Sequence, residues 1–313
     1  MELLRGVHNL RSAAGAGCVA TIGNFDGVHR GHQQILQRVQ QQATTLGLRS
    51  LVMLFEPQPA EFFRPDQAPP RLMSLRDKAR TLAAQGVDQL YCAGFDEAFR
   101  SQSAAAFVAD LLVDGLGCRY LVVGDDFRFG AGREGDFAYL QRAGEQWGFG
   151  VEDTPTCELD GRRVSSTWVR EALAAGDLAL AERLLGRRYA ISGRVRHGDK
   201  IGRTLGVPTA NLLLRRPPAL TGVYAVTVNG PGLKQHPGVA SVGTRPTVDG
   251  RDWRLEVHLL DYQGDLYGRH LDVTFCHYLR PELKFDTLPA LTAAMQQDFV
   301  HARAWFAAAG LSS

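Results

Sequence analysis

The sequence predicts an α/β domain built on a parallel sheet, followed by a smaller β-rich domain closed by a helix. Apolar runs with strand character recur in the first half, at 19–22, 51–55, 90–93 and 120–123. Amphipathic helical patterns separate them, at 33–46, 75–84, 104–113 and 135–147. Strands alternating with helices pair in parallel, because each helix carries the chain back across the sheet. After Gly186 the texture changes to short β-rich pieces, at 190–195, 223–228, 238–242, 255–260 and 271–275. Turn residues such as Pro217-Pro218, Asn229-Gly230 and Asp249-Gly250 divide them, which suits a small barrel or sandwich. A last helical stretch, 288–306, closes the chain, and the domains are expected at 1–185 and 186–313. Between them, 164–170 leads into one helix and 177–185 forms another, with Asp177 as its N-cap.

At 313 residues, 45% apolar and 22% charged, the chain is long enough for two soluble domains with cores of their own. No apolar run approaches the ~18 residues of a membrane span, and Met1-Glu2-Leu3-Leu4-Arg5 lacks the basic start and apolar core of a secretion signal. The cysteines Cys18, Cys92, Cys118, Cys157 and Cys276 are odd in number and nowhere spaced Cys-x-x-Cys. That argues against a disulfide framework or structural zinc, and for a reducing cytoplasm. Cys18, Cys118 and Cys276 lie in or beside apolar runs and are expected to be buried thiols. The net charge of +2 decides little, but residues 187–216 hold eight Lys/Arg against one acid, Asp199. RNA binding would interleave aromatics with such a patch, and only Tyr189 is there, so a small phosphorylated ligand fits better than nucleic acid. The oligomeric state is not readable from the sequence.

The chemistry concentrates in two stretches. Gly23-Asn24-Phe25-Asp26-Gly27-Val28-His29-Arg30-Gly31-His32 falls between the first long strand and its helix. A helix N-terminus offers free N–H groups and a partial positive charge to phosphate. Gly23 and Gly27 permit close backbone approach, and His29 and His32, three apart, share one face. Two imidazoles there can donate to a pentavalent phosphorus centre as its charge develops. Further on, Ser165-Ser166-Thr167-Trp168-Val169-Arg170 offers hydroxyls that can cap a helix while touching phosphate, with Arg170 one turn on. Gly124-Asp125-Asp126-Phe127 ends a strand in a loop suited to face substrate.

The second stretch runs from Gly193 to Asn211, with glycines at 193, 198, 202 and 206 and with Lys200 and Arg203 among them. Such a loop can wrap a polyphosphate with backbone N–H groups. No Gly-x-x-x-x-Gly-Lys-[Ser/Thr] occurs, so a kinase here is not a P-loop enzyme. Thr209 and Asn211 offer a hydroxyl and an amide oxygen two residues apart, neutral ligands that suit Mg²⁺ alongside ATP phosphates. Glu256 and His258 alternate on one face of a strand, and a carboxylate there could accept a substrate hydroxyl's proton.

The first stretch with Ser166, Thr167 and Arg170 resembles the His-x-Gly-His nucleotidyltransferases, which attack the α-phosphate of ATP and release pyrophosphate. Residues 193–211, with Gly222-Val223-Tyr224-Ala225, the segment 241–247 and Glu256, look like riboflavin kinase. In this order the two halves closely resemble the bacterial bifunctional riboflavin kinase/FMN adenylyltransferases. The resemblance covers nearly the whole chain. It implies a Rossmann-like nucleotidyltransferase domain and a riboflavin-kinase-like β-barrel with a closing helix. It implies ATP as co-substrate, Mg²⁺ as cofactor, and riboflavin, FMN and FAD as substrates and products. By it, His29 and His32 are catalytic in the first site and Glu256 is the base of the second. Gly23, Phe25, Gly31, Asp126, Ser166, Thr167 and Arg170 bind ATP or phosphate in the first, and Gly198, Lys200, Gly202 and Arg203 in the second. Thr209 and Asn211 hold metal. Gln58 stands where many relatives carry His and is given no indispensable role; Asp126 stands where some carry Asn, which leaves its contact open. Arg280, Glu282 and Phe285 are candidate flavin contacts, with plain packing as the alternative. Two other readings are an adenylyltransferase with another acceptor, such as a pantetheine or nicotinate phosphate, and a flavin-binding regulator without turnover.

Overall fold

The computed structural model describes residues 1–6, 17–196, 209–214, 216–247 and 250–310, with the backbone alone at 245–247 and 250–252. Contacts divide the chain into two units, one of Met1–Pro69 with Leu75–Ser165, the other of Pro70–Ser74 with the chain from Ser166 onward.

The first unit is a six-stranded parallel sheet: β1 (Glu2–Arg5), β2 (Cys18–Ile22), β3 (Arg49–Glu56), β4 (Gln89–Gly94), β5 (Cys118–Gly124) and β6 (Gly150–Thr154), in the order β1-β4-β3-β2-β5-β6. All five residues of β2 are buried, as a central strand covered on both faces requires. Cys18, Ala20 and Ile22 pack on one face with Phe107, Leu111, Leu112 and Leu140. Val19 packs on the other with Val39 and Ala43 of α1 (Arg30–Leu46). Around the sheet lie α2 (Pro59–Phe63), α3 (Leu75–Ala84), α4 (Glu97–Arg100), α5 (Ala104–Ala106) and α6 (Phe137–Trp147). The helix expected over 104–113 leaves α-geometry after α5 and continues as π-helix at Phe107–Val113.

This strand order explains where a ligand would sit. The chain leaves β2 toward β3 and β4 on one side, then returns to place β5 on the other side of β2. The carboxyl ends of β2 and β5 therefore flank the switch point, where open α/β sheets bind ligands.

The second unit holds α7 (Ser166–Ala174), α8 (Leu178–Leu185) and a closed antiparallel barrel. Asp177 caps α8 by accepting from the Leu180 N–H, as expected. The barrel strands are β9 (Ala190–Arg196), β10 (Ala210–Leu214), β11 (Gly222–Gly230), β12 (Leu233–Thr247), β13 (Gly250–Leu259) and β14 (His270–Arg280), in the order β10-β13-β12-β11-β14-β9. Of the barrel and sandwich left open by the sequence, the barrel is observed. The closing helix α9 (Leu288–Ala308) lays Phe299, Ala302 and Phe306 on Val223, Ala225, Val239 and Leu260. Arg280 fixes it with a bidentate bond to Asp298, Nε to Oδ1 at 2.8 Å and Nη2 to Oδ2 at 2.7 Å. Cys18 and Cys118 are buried as expected, but Cys276 is partly exposed, because it falls on the outward side of β14.

Candidate active sites

The turn between β2 and α1 is built around three rings. His29 is the N-cap of α1 in extended backbone, and its Nδ1 accepts from the His32 N–H at 3.4 Å. A neutral imidazole accepting at Nδ1 carries its proton on Nε2. The His29 ring stacks on that of His32, centroids 3.7 Å apart and 19° from parallel, and Phe25 lies 4.8 Å beyond His32. Phe25 is only 1% exposed, so its side chain backs the histidines. The glycines make room for this pile. A Cβ on Gly31 would lie 3.3 Å from His29 Cε1 and Nδ1, and one on Gly23 would lie 3.2 Å from the Phe25 ring. The space beside Gly23, expected to admit a ligand, is thus taken by the motif's own phenylalanine.

At the end of β5, Asp125 and Asp126 are exposed and both face Arg163, whose Nη2 lies 3.3 Å from Asp125 Oδ1 and 2.9 Å from Asp126 Oδ2. A carboxylate does not itself attract phosphate, and here it holds a guanidinium. Ser166 and Thr167 lie in the first turn of α7, so Ser165 stands at the cap position expected of them. Arg170, one turn on, donates from Nε to the Pro70 carbonyl at 2.6 Å. Gln58, buried ahead of α2, donates its backbone N–H to Glu61 Oε2 at 3.0 Å. Missed in the sequence was Lys78, 2% exposed, whose Nζ donates to the Asn24 carbonyl at 2.5 Å. Its signal was a lysine in the apolar stripe of α3, on the face that buries Leu82.

In the barrel, register aligns the second cluster. Asn211 on β10 and Ser241 on β12 both pair with Glu256 on β13, so the three side chains project from one face in one row. His258, two residues on and so on the same face, stacks on Phe299 of α9 at 4.5 Å, which identifies the face as the barrel's outer one. Asn211 Nδ2 donates to the Thr209 carbonyl at 3.3 Å, leaving the amide oxygen to point the other way. Glu282 joins this row: a Cβ on Gly243 would lie 1.8 Å from its Oε1. Burial raises the Glu282 carboxyl above its ordinary range, the Thr244 N–H opposes this, and the charge of Glu256 adds to it. Arg280 is spent on Asp298, with its guanidinium 5.7 Å over the Phe285 ring. Gly198, Lys200, Gly202 and Arg203 lie outside the described residues.

A parallel sheet with a histidine pair at its switch point, and a barrel with a carboxylate in one row with an amide and a hydroxyl, are the arrangement of an enzyme that handles phosphates in both halves. The FAD synthetase family model matches residues 12–168, and the riboflavin kinase family model matches 185–306. The bifunctional riboflavin kinase/FMN adenylyltransferase of Escherichia coli K12 is 55% identical over 307 residues, covering 98% of each chain. That of Pseudomonas fluorescens is 57% identical, covering 97% of each. A solved structure described as a macrolide-efflux protein from Streptococcus pneumoniae matches at TM-score 0.83 and 28% identity, covering 97% of this chain and 99% of that one. The chain belongs to the bifunctional riboflavin kinase/FMN adenylyltransferase family, enzymes of flavin cofactor biosynthesis.

Proposed function

We propose that the chain makes FAD from riboflavin in two ATP-dependent steps at two separate phosphate-transfer centres, with the residues assigned as follows. In the barrel the 5′-hydroxyl oxygen of riboflavin bonds to the γ-phosphorus of ATP, the bridging bond to the β-phosphate breaks, and FMN and ADP form. Glu256 accepts the hydroxyl proton, since it stands in register with Asn211 on an outer face. Thr209 and Asn211 would hold Mg²⁺: their oxygens are hard, neutral donors, and the amide nitrogen of Asn211 is already engaged. The ion would supply charge neutralisation on the phosphates. Gly198, Lys200, Gly202 and Arg203 are assigned to the same polyphosphate by motif alone.

At the other centre a phosphate oxygen of FMN bonds to the α-phosphorus of a second ATP, and pyrophosphate leaves. His29 and His32 donate to the α-phosphate oxygens, and the charge that grows there is what they stabilise. Gly23, Phe25 and Gly31 are assigned to ATP by motif alone, since Phe25 and His29 fill the space beside the two glycines. The family motif gives Ser166, Thr167 and Arg170 the leaving phosphates, and Asp126 acts through Arg163. No covalent enzyme intermediate is needed, as positioning and charge stabilisation suffice for phosphoryl chemistry. The buried free thiols fit residence in a reducing cytoplasm.

The observation that carries this reading is the stacked pair His29–His32 at the cap of α1, in a chain that also aligns Asn211 with Glu256. Incubating the pure protein with riboflavin, ATP and Mg²⁺ and resolving the flavins tests it. FMN followed by FAD is expected, and neither product would refute it.

A further inference from the structure

Lys78 lies outside the motifs, yet its side chain is among the largest fully buried ones in the molecule. A buried ammonium is costly unless its protons find acceptors. Here Nζ crosses from α3 to the loop after β2 and donates to the Asn24 carbonyl at 2.5 Å. Asn24 opens the turn that delivers His29. In that turn Phe25, Gly27 and Val28 have φ of 46°, 82° and 43°. A left-handed β-branched residue is a strained outlier and persists only where its surroundings over-determine it. Two ties come from the β2–α1 segment itself, the Val28 N–H to the Phe25 carbonyl at 3.2 Å and Gln33 Nε2 to the Val28 carbonyl at 2.8 Å. Lys78 adds a tie from a separate helix, 54 residues away in sequence.

We propose that Lys78 is a positioning residue for adenylyl transfer: by holding the Asn24 carbonyl it fixes the strained 25–28 turn, and with it the aim of His29 and His32 at the α-phosphate. This rests on the adenylyltransferase reading of the first unit. Lys78 touches no reacting atom. It sets the shape of the backbone that presents the groups which do.

The test uses the full-length protein with FMN and MgATP, and separately with riboflavin and MgATP. Lys78→Met keeps most of the buried volume and removes the donors. Its kcat for FAD formation is expected to fall about 10²-fold, the scale of an ångström's misplacement. KM for ATP and FMN and the rate of riboflavin phosphorylation stay near wild type. Lys78→Arg, which can reach the same carbonyl, recovers a large part of kcat. An unchanged kcat in Lys78→Met, a loss expressed in KM alone, or no recovery in Lys78→Arg overturns the proposal. Should Lys78→Met fail to fold, Lys78→Gln, too short to reach Asn24, takes its place with the same expectations. Unfolding of both, with full kcat in Lys78→Arg, reduces Lys78 to a folding role and equally overturns it. A wild-type chain making no FAD would sink the underlying reading; FAD from wild type and Lys78→Met alike sinks this inference alone.

Discussion

The imidazoles of His29 and His32 lie stacked 3.7 Å apart, and the first accepts the backbone N–H of the second. Each ring therefore sets the orientation of the other, and losing either disturbs both. His32→Ala is expected to lower FAD formation by about 10²-fold or more, the usual cost of losing a preorganised transition-state donor. FMN made from riboflavin should then accumulate, as chromatography of the flavins would show. Equal loss of both products would refute independent sites.

Glu256 gives the complementary experiment. Glu256→Gln keeps the size of the side chain in the row with Asn211 and Ser241 but removes the basic oxygen. Loss of FMN formation is expected, while supplied FMN is still converted to FAD. A variant that phosphorylates riboflavin at the wild-type rate would remove Glu256 from the base role.

Gly243 and Glu282 are in a relation that one methyl group tests. In Gly243→Ala the new Cβ needs the place now held by the Glu282 carboxylate, 1.8 Å away. That carboxylate is the end of a flexible side chain, so it swings aside and the barrel should still fold. Riboflavin phosphorylation is expected to drop by about tenfold, with KM for riboflavin affected and FMN adenylylation intact. Glu282→Gln should show a similar loss if the carboxylate is what matters at that place.

The Arg280–Asp298 pair ties the closing helix to β14, with the Asp298 side chain only 6% exposed. Removing one partner of a buried pair leaves an uncompensated charge, so Asp298→Ala is expected to cost about 3–5 kcal/mol. Urea unfolding monitored by riboflavin phosphorylation would measure it. The double variant Arg280→Met/Asp298→Leu should recover much of the loss.

In the first unit Glu152 accepts from Tyr120 Oη at 2.9 Å and pairs with Arg38. Burial works against its charge, but the bonds from Arg38 and Tyr120 prevail and hold its carboxyl below the ordinary 4.5. A carboxylate with a depressed folded value stabilises the fold above the ordinary value, and that stabilisation fades as pH falls through the folded one. Glu152→Gln is expected to cost about 1 kcal/mol at pH 7, since the pair is partly exposed. The difference from wild type should shrink in denaturant titrations below about pH 4.5.

The sequence by itself determined both motifs and nearly all the long elements, because these are local matters. Apolar runs located β2 to β5, period-3.6 patterns located the helices at 75–84 and 177–185, and Gly-x-x-x-x-x-His-x-Gly-His could be read from residue identity alone. Short pieces with weak patterns escaped, among them β1, β6 and β10. Strand order and register are pairings between distant segments, and no local pattern encodes them. Only the tertiary structure decided that β2 and β5 flank the switch point, that Asn211, Ser241 and Glu256 form one row, and that Phe25 and Gly23 serve the histidine pile. Lys78 shows the same division. In the chain it is one cation on an amphipathic helix, and its meaning lies in a carbonyl that folding alone brings within 2.5 Å.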